Sequence, residues 1–466
     1  MDLPILFKES IQNILQQDYS AFEQSLNTPQ PVSIRLNPFK SNHCQNYLSL
    51  CHQYNLEIES PINWCKYGYY LKSRPSFTAD PLFHCGCYYV QEASSMFISH
   101  ILKNIMPDAP LHILDLCAAP GGKSTLILSE MPANSLLFAN EINPSRCHIL
   151  CENIIKWGNP NVIVTNNNAE DYKRSKLLFD VILCDAPCSG EGMFRKDNKA
   201  IDEWSSSNVV KCSTRQRDIL STIWDNLRPG GFLIYSTCTY NTSENEFNAR
   251  FIRDELGGKP LSFETDKSWG IDTTNYLSDT IPVYRFFPHK TKGEGFFACC
   301  FRKEDSTLNK NSLPGKKIKS QSKNQCKCPP EYFGCIDSFN DYYYSKDSAG
   351  NIYAIKMAHQ DLNVLAERHL NVKHKGICLC NPKGNKLRPA QSLAVSIALK
   401  NDFFPIKSID ISTALSYLKC ESLQLDNSPK GYVLLTYKDH PIGFVNNIGS
   451  RANNMYPQEW RIRHIH

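Results

Sequence analysis

The sequence predicts an α/β protein in three parts, with a sheet of alternating strands and helices at its centre and smaller modules on either side. Two observations predict it. From residue 91 to 303, apolar runs of strand length alternate with helical stretches, the signature of successive strand–helix crossovers. Outside that block the pattern changes: residues 1–90 mix short helical and strand-like segments, and residues 431–445 alternate as a hairpin does.

Bulk properties bound the rest. The chain has 466 residues, 41% hydrophobic and 21% charged, which suits a folded protein with more than one core. No run of 18 or more apolar residues occurs, so no membrane span or membrane partner is expected. Residues 1–17 have neither a cationic start nor an apolar signal core, so a cytoplasmic location is the expectation. A net charge of +5 permits a nucleic-acid partner without requiring one. Twenty cysteines in a chain of this size point to small buried thiols rather than a disulfide scaffold. The pairs Cys85/Cys87, Cys326/Cys328 and Cys378/Cys380 have one intervening residue where zinc sites prefer two to four, so no metal is expected.

The elements follow in order. Residues 31–38 read as a strand entering a turn. Residues 112–117, 135–141, 162–165, 179–185 and 231–236 are the five apolar runs of the central block. Asn143 and Pro144 stand as N-cap and first residue of a helix running to about Trp157, which Gly158 can end. Residues 228–231, Arg-Pro-Gly-Gly, turn into the fifth run. Residues 284–289 and 296–302 flank a Gly293-Glu294-Gly295 turn as a closing hairpin. From Ser306 to Cys328 there are six lysines and no acid, which reads as a solvated tether. The expected organisation is a small α/β domain over 1–90, a central α/β domain over 91–305, a Lys/Ser-rich linker over 306–330 and a C-terminal region over 331–466. That last region ends in two alternating segments, 431–437 and 441–445, with Lys438-Asp439-His440 between them.

The most informative stretch is 114–125, Leu-Asp-Leu-Cys-Ala-Ala-Pro-Gly-Gly-Lys-Ser-Thr: a strand, a loop of small residues, then a helix. Such a loop at the carboxyl end of a strand is where nucleotide-like ligands lie in open α/β sheets, and Gly121 and Gly122 let the backbone approach one. A phosphate-binding NTPase loop needs glycine where Cys117 stands, and Pro120 removes an N–H that would cradle phosphate. A nucleoside cofactor without phosphates fits better. Glu141 ends the next strand about 20 residues on, where an acid hydrogen-bonds ribose hydroxyls.

Two cysteines close the picture. Asp185-Ala-Pro-Cys188-Ser-Gly-Glu-Gly192 ends the fourth apolar run, and Ser236-Thr-Cys238-Thr-Tyr240 ends the fifth. Both therefore fall on the sheet edge that carries the cofactor loop. Position alone does not say which one reacts.

These residues resemble the Nop/Sun family of RNA cytosine-C5 methyltransferases. The matching stretches are 33–37, 89–96, 115–123, Asn140-Glu141, 185–197, 228–231, 235–246 and 289–297, covering about residues 30–303. The resemblance implies a Rossmann-like sheet that binds S-adenosyl-L-methionine, preceded by a small RNA-binding α/β domain. It implies Cys238 as nucleophile, Cys188 as the residue that helps the covalent adduct break down, and Asp185 as the substrate-side acid. Cofactor contacts carry over to Cys117, Ala118, Ala119, Pro120, Gly121, Gly122, Lys123, Glu141, Arg146 and Asp185. The family usually has an Asp after the third strand to contact adenosine; Asn168 aligns there. The chemistry asks for a thiol, because adding a thiolate to carbon 6 of cytosine makes carbon 5 nucleophilic enough to take a methyl.

Residues 190–197 and the long C-terminal region resemble a bacterial branch that acts on 16S ribosomal RNA and ends in a PUA-like β-rich domain. The expected partner is thus RNA, as 16S rRNA or the small ribosomal subunit. Lys438, Arg451, Arg461 and Arg463, interleaved with Tyr456 and Trp460, suit phosphate contact and base stacking. Transfer-RNA methylation and a ribosome-assembly role with dispensable catalysis are the alternatives.

Overall fold

The structure is a computed structural model, and it describes residues 1–41, 47–304 and 324–463. Strands β1 (Val32–Leu36), β2 (Ile58–Pro61), β3 (Gly68–Leu71) and β4 (Tyr88–Val90) form an antiparallel sheet in the order β2–β3–β1–β4. β1 is the strand expected from residues 31–38. It stops where the Asn37 carboxamide accepts from the Phe39 N–H at 3.0 Å. Arg35, fully buried, donates to Gln91 at 2.9 Å, Ser129 at 2.9 Å and Thr125 at 2.5 Å, and so ties this sheet to the helix Gly122–Glu130.

The central sheet is built from β5 (His112–Asp115), β6 (Leu136–Asn140), β7 (Val162–Thr165), β8 (Phe179–Asp185), β9 (Leu227–Thr237), β10 (Gly258–Leu261), β11 (Tyr284–Phe286) and β12 (Phe296–Lys303). It runs β10–β12–β9–β8–β5–β6–β7, with β11 also on β12. The pairs β5/β6, β6/β7, β5/β8 and β8/β9 are parallel, and the pairs made by β12 are antiparallel. This is the Rossmann-like sheet, closed by the β11/β12 hairpin. β5 has β6 on one side and β8 on the other, so the strand order reverses there. The loops after β5 and β8 therefore part over a crevice. The helix Pro144–Trp157 has the expected ends: the Asn143 side chain accepts from Ser145 and Arg146, and Gly158 caps at φ 83°.

A third sheet holds β13 (Gln325–Cys326), β14 (Tyr342–Lys346) and β15 (Ile352–Lys356). Strand β16 (Val372–Lys375) then leaves this module and pairs antiparallel with β7, extending the central sheet by one strand. β17 (Ile377–Lys383) and β18 (Lys386–Pro389) return to the third sheet. The expected linker falls largely on residues 305–323, outside the described residues. The last sheet contains β19 (Ile406–Ser408), β20 (Gly431–Tyr437), β21 (His440–Asn447) and β22 (Ala452–Asn454). Lys438 and Asp439 both have positive φ, the two-residue turn that suits a tight hairpin. No helix among the described residues is long and apolar enough to cross a membrane.

Strand alternation in β20 decides how the chain ends meet. Val433 and Leu435 pack with Ile34, Leu36 and Leu71 of the first sheet, whereas Leu434 packs with Cys335, Ile377 and Leu379 of the third. The last sheet is thus clamped between two others. Tyr456, expected on an RNA-facing surface, lies in the first of these cores at 3% exposure. It packs against Tyr417, and its hydroxyl lies 3.3 Å from His84. Cys85, Cys87, Cys378 and Cys380 are buried as expected.

Leu435→Ala is expected to cost about 2–5 kcal/mol of stability. Because the core is shared, amide exchange at Ile34 and Leu36 should quicken along with that of β20 and β21. Hydrogen exchange read by mass spectrometry checks this; acceleration confined to the last sheet would show two separate cores.

Candidate active site

Backbone geometry sets out the crevice first. The loop after β5 begins with Leu116, whose N–H joins Leu183 at 3.0 Å, and Ala118, whose N–H joins Asn140 at 2.8 Å. Ala118 is so engaged and Pro120 lacks an N–H, which removes two donors that a phosphate-cradling loop would use. Gly121 sits at φ +115° as the cap of the helix Gly122–Glu130.

The expected cofactor residues converge on this loop. Glu141 is 2% exposed; one oxygen accepts from the Asn143 N–H at 2.9 Å and the other lies 3.4 Å from the Arg146 guanidinium. Arg146 also donates to the Ala119 carbonyl at 2.7 Å, and Asn153 donates to the Pro120 carbonyl at 2.8 Å. One helix therefore shapes the loop from two points. Cys117 hydrogen-bonds Cys184, and that bond with burial pushes its thiol well above the ordinary range. Asn168 has a different use: its side-chain oxygen accepts from the Asp171 N–H at 2.9 Å in a capping box that starts the helix Ala169–Ser175. Its carboxamide oxygen is committed to that cap.

Lys123 reaches across the crevice and donates to Asp185 at 2.7 Å, while the Ser236 hydroxyl donates to the other carboxylate oxygen at 2.7 Å. Burial alone would lower the Lys123 ammonium, but the Asp185 carboxylate outweighs it and holds the group above its usual value. Asp185 is thereby oriented from both sides. The two candidate thiols stand together, Cys188 Sγ 3.2 Å from Cys238 Sγ, both half-buried. The bond to Cys238, with burial, pushes the Cys188 thiol well above the ordinary cysteine range, so Cys188 keeps its proton at neutral pH.

What brings the thiols together was not read from the sequence. Glu191, 2% exposed, follows Cys188 by three residues and accepts five hydrogen bonds. They come from the Thr239 hydroxyl at 2.6 Å, the Tyr240 and Asn241 N–H groups at 2.8 and 2.9 Å, the Asn241 carboxamide at 3.0 Å and the Trp204 indole at 3.0 Å. Glu244, from the loop after Cys238, reciprocates: it accepts from the Ser189 N–H at 3.0 Å and from Gln216 at 2.7 Å. Gly192 has no room for a side chain, since a Cβ would lie 2.7 Å from the Gly295 carbonyl oxygen and 2.8 Å from that of Cys238. The signal was present in the sequence, as acids standing alone in loops of Gly, Ser, Thr and Asn, but nothing in it named their partners.

Comparisons with known proteins place the chain beside RNA methyltransferases. Three family models match: 16S rRNA methyltransferase RsmB/F over residues 103–302, the N-terminal domain of 16S rRNA methyltransferase RsmF over 3–93, and the methyltransferase RsmF PUA domain over 406–462. A protein named ribosomal RNA small subunit methyltransferase F from Erwinia tasmaniensis is 28% identical, over 98% of this chain and 96% of its own. The protein of that name from Pectobacterium atrosepticum is 34% identical over 65% of this chain and 63% of its own. Among solved structures, a methyltransferase homolog from Pyrococcus horikoshii is 26% identical, covering 64% of this chain and 94% of its own with a TM-score of 0.54. NSun6 from Pyrococcus horikoshii, 20% identical over 65% of this chain and 99% of its own with a TM-score of 0.56, shares the fold.

Asp115, at the end of β5, is wholly buried. Burial raises its carboxyl from 3.8 to about 7, although the Ser124 hydroxyl, 2.6 Å away, opposes the shift. A carboxyl raised on folding contributes stability that is complete below the unfolded value and lost as pH rises through the folded one. Asp115→Asn is expected to remove that loss. The fall in unfolding free energy between about pH 5 and about pH 8 should then shrink by roughly 2 kcal/mol, read by urea unfolding.

Proposed function

From its membership of the RsmB/F family of 16S rRNA methyltransferases, we propose that this chain methylates carbon 5 of a cytosine in 16S ribosomal RNA, with S-adenosyl-L-methionine as donor. The observation that carries the reading is the pair of thiols 3.2 Å apart on the edge that holds the cofactor loop. The family match favours ribosomal over transfer RNA as substrate. Work on the small subunit would put the protein in the cytoplasm.

The donor set fits the cofactor. Glu141 offers a carboxylate at the strand end for ribose hydroxyls. The small side chains of Ala118 and Ala119 and the open backbone at Gly121 leave room beside it, and Arg146 holds the loop's shape through the Ala119 carbonyl. S-adenosyl-L-methionine, when bound there, supplies an electrophilic methyl. The remaining steps belong to the chain. A target cytosine must leave its stack to reach the crevice, because carbons 5 and 6 are inaccessible within a helix. Asp185, fixed between Lys123 and Ser236, accepts from the cytosine amino group and holds the ring edge. Cys238, its proton lost to solvent, adds as thiolate to carbon 6, forming the carbon–sulfur bond and shifting electron density to carbon 5, which takes the methyl as the donor's methyl–sulfonium bond breaks. Water then takes the carbon-5 proton, and the electron pair left behind expels the Cys238 thiolate and restores the ring. Cys188, protonated beside the leaving sulfur, meets the departing thiolate with a hydrogen bond.

Labelled methyl transfer to total RNA and to small ribosomal subunits tests the reading. Label in small-subunit RNA is expected, and Cys238→Ala should reduce it by at least about 10³-fold, as loss of a covalent nucleophile does. Label confined to transfer RNA would move the substrate elsewhere. Cys188→Ala should leave a covalent protein–RNA adduct on a denaturing gel; normal turnover without adduct would reverse the two cysteine roles.

A further inference from the structure

A cleft of about 400 Å³ opens where the helix Pro144–Trp157, the third sheet and the chain's last turn meet. Lys373, Lys383 and Arg388 line it together with Tyr353 and Trp460, and Glu459 is the only acid among the lining residues. Among the described residues, none of the three cations is placed in an ion pair; Lys373 and Lys383 are exposed and Arg388 is half-buried. His374, also in the wall, adds no charge, because burial lowers its imidazole to about 4. The cleft therefore presents net positive charge beside the half-buried Trp460 ring, while Tyr353, 8% exposed with the Lys375 ammonium over its ring, forms the floor.

That combination selects a partner. Unpaired cations attract phosphates, and aromatic walls stack bases whatever their sequence. We propose that the cleft is a second RNA contact, holding a single-stranded stretch of the substrate away from the cytosine being modified. The proposal rests on the RNA methyltransferase reading above. β16, which carries Lys373, lies four strands from β8, about 19 Å at ordinary strand spacing. The cleft is thus a remote anchor and not part of the reacting site.

Its distance from that site is set by the fold. The helix that bears Arg146 at its cofactor end bears Cys151 and Ile155 at the cleft. Asn371, just before β16, accepts from the Asn166 N–H at 3.0 Å and donates to the Asn167 side chain at 2.9 Å, while the Asn166 carboxamide donates to the Glu141 carbonyl at 2.7 Å. RNA seated in the cleft would meet the crevice at a fixed spacing, which suits selecting one cytosine by its surroundings.

The test uses the full chain and the double variant Lys383→Glu/Arg388→Glu, both on β17 and β18 away from the thiols. Fluorescence anisotropy with a short single-stranded oligoribonucleotide is measured over a salt series, and methyl transfer to small subunits is measured separately. The variant should bind the oligoribonucleotide roughly tenfold more weakly, with a salt slope shallower by about 1–2. Its KM for the subunit should rise with kcat and S-adenosyl-L-methionine affinity unchanged. Trp460→Ala should weaken RNA binding by roughly 5- to 100-fold without changing the salt slope. Equal RNA affinity and equal salt slope in wild type and double variant would overturn the proposal, as would weakened binding of an acidic protein with RNA binding intact. Failure of the enzymatic reading would appear differently: no methyl transfer by the wild type, whatever the anisotropy shows.

Discussion

The buried carboxylate of Glu191 is the interaction on which the site depends. Two loops leave two parallel strands, one with Cys188 and one with Cys238, and nothing in the sheet itself would hold their tips 3.2 Å apart. Glu191 does so by drawing the backbone and side chains of residues 239–241 onto the loop after β8, while Glu244 makes the return connection through Ser189. An ionised carboxylate removed from water is costly unless its lone pairs are filled. Here five donors fill those of Glu191, and all but one come from the loop it must position. Moving either loop away would leave the Glu191 oxygens without these donors, so the burial favours this arrangement.

The same logic of commitment runs outward. Asp185 touches the site only because Lys123 and Ser236 occupy its two oxygens from opposite sides. Lys123 in turn belongs to the helix that begins at Gly122, which Arg35 of the first sheet holds through Thr125 and Ser129. The N-terminal sheet is therefore joined to the crevice through one helix, held by Arg35 on one side and reaching Asp185 through Lys123 on the other. The C-terminal region is joined as firmly. β16 extends the central sheet, Asn371 braces the loop behind Glu141, and the last sheet shares apolar cores with both the first and the third. These contacts tie the C-terminal region to the sheet that carries the two thiols.

Legibility differed from element to element for physical reasons. Residues 162–165 and 179–185 appeared as strands with correct ends because fully buried parallel strands are continuous apolar runs. The helix Pro144–Trp157 was readable at both ends because its cap residues act locally. Asn168 aligns with an adenosine contact, and its carboxamide oxygen also completes a capping box with Asp171, a local role that one-dimensional alignment does not register. Tyr456 reads as surface because it stands among Arg451, Arg461 and Arg463, but it is buried and packs against Tyr417. β16 gave no sign of joining the central sheet, since an edge strand is defined by the partner it meets.

By itself, then, the sequence determined the central strand–helix alternation, the small-residue loop after β5 and the placement of both cysteines at strand ends, because each depends on periodicity or on residues adjacent in the chain. Only the tertiary structure decided which polar groups meet across loops. Glu191 and residues 239–241 are some 50 positions apart, Arg35 and Thr125 are 90 apart, and Asn371 and Asn167 are 204 apart. The buried charge, shared cores and close backbone approach at Gly192 that hold them together arise from packing, which no local pattern encodes.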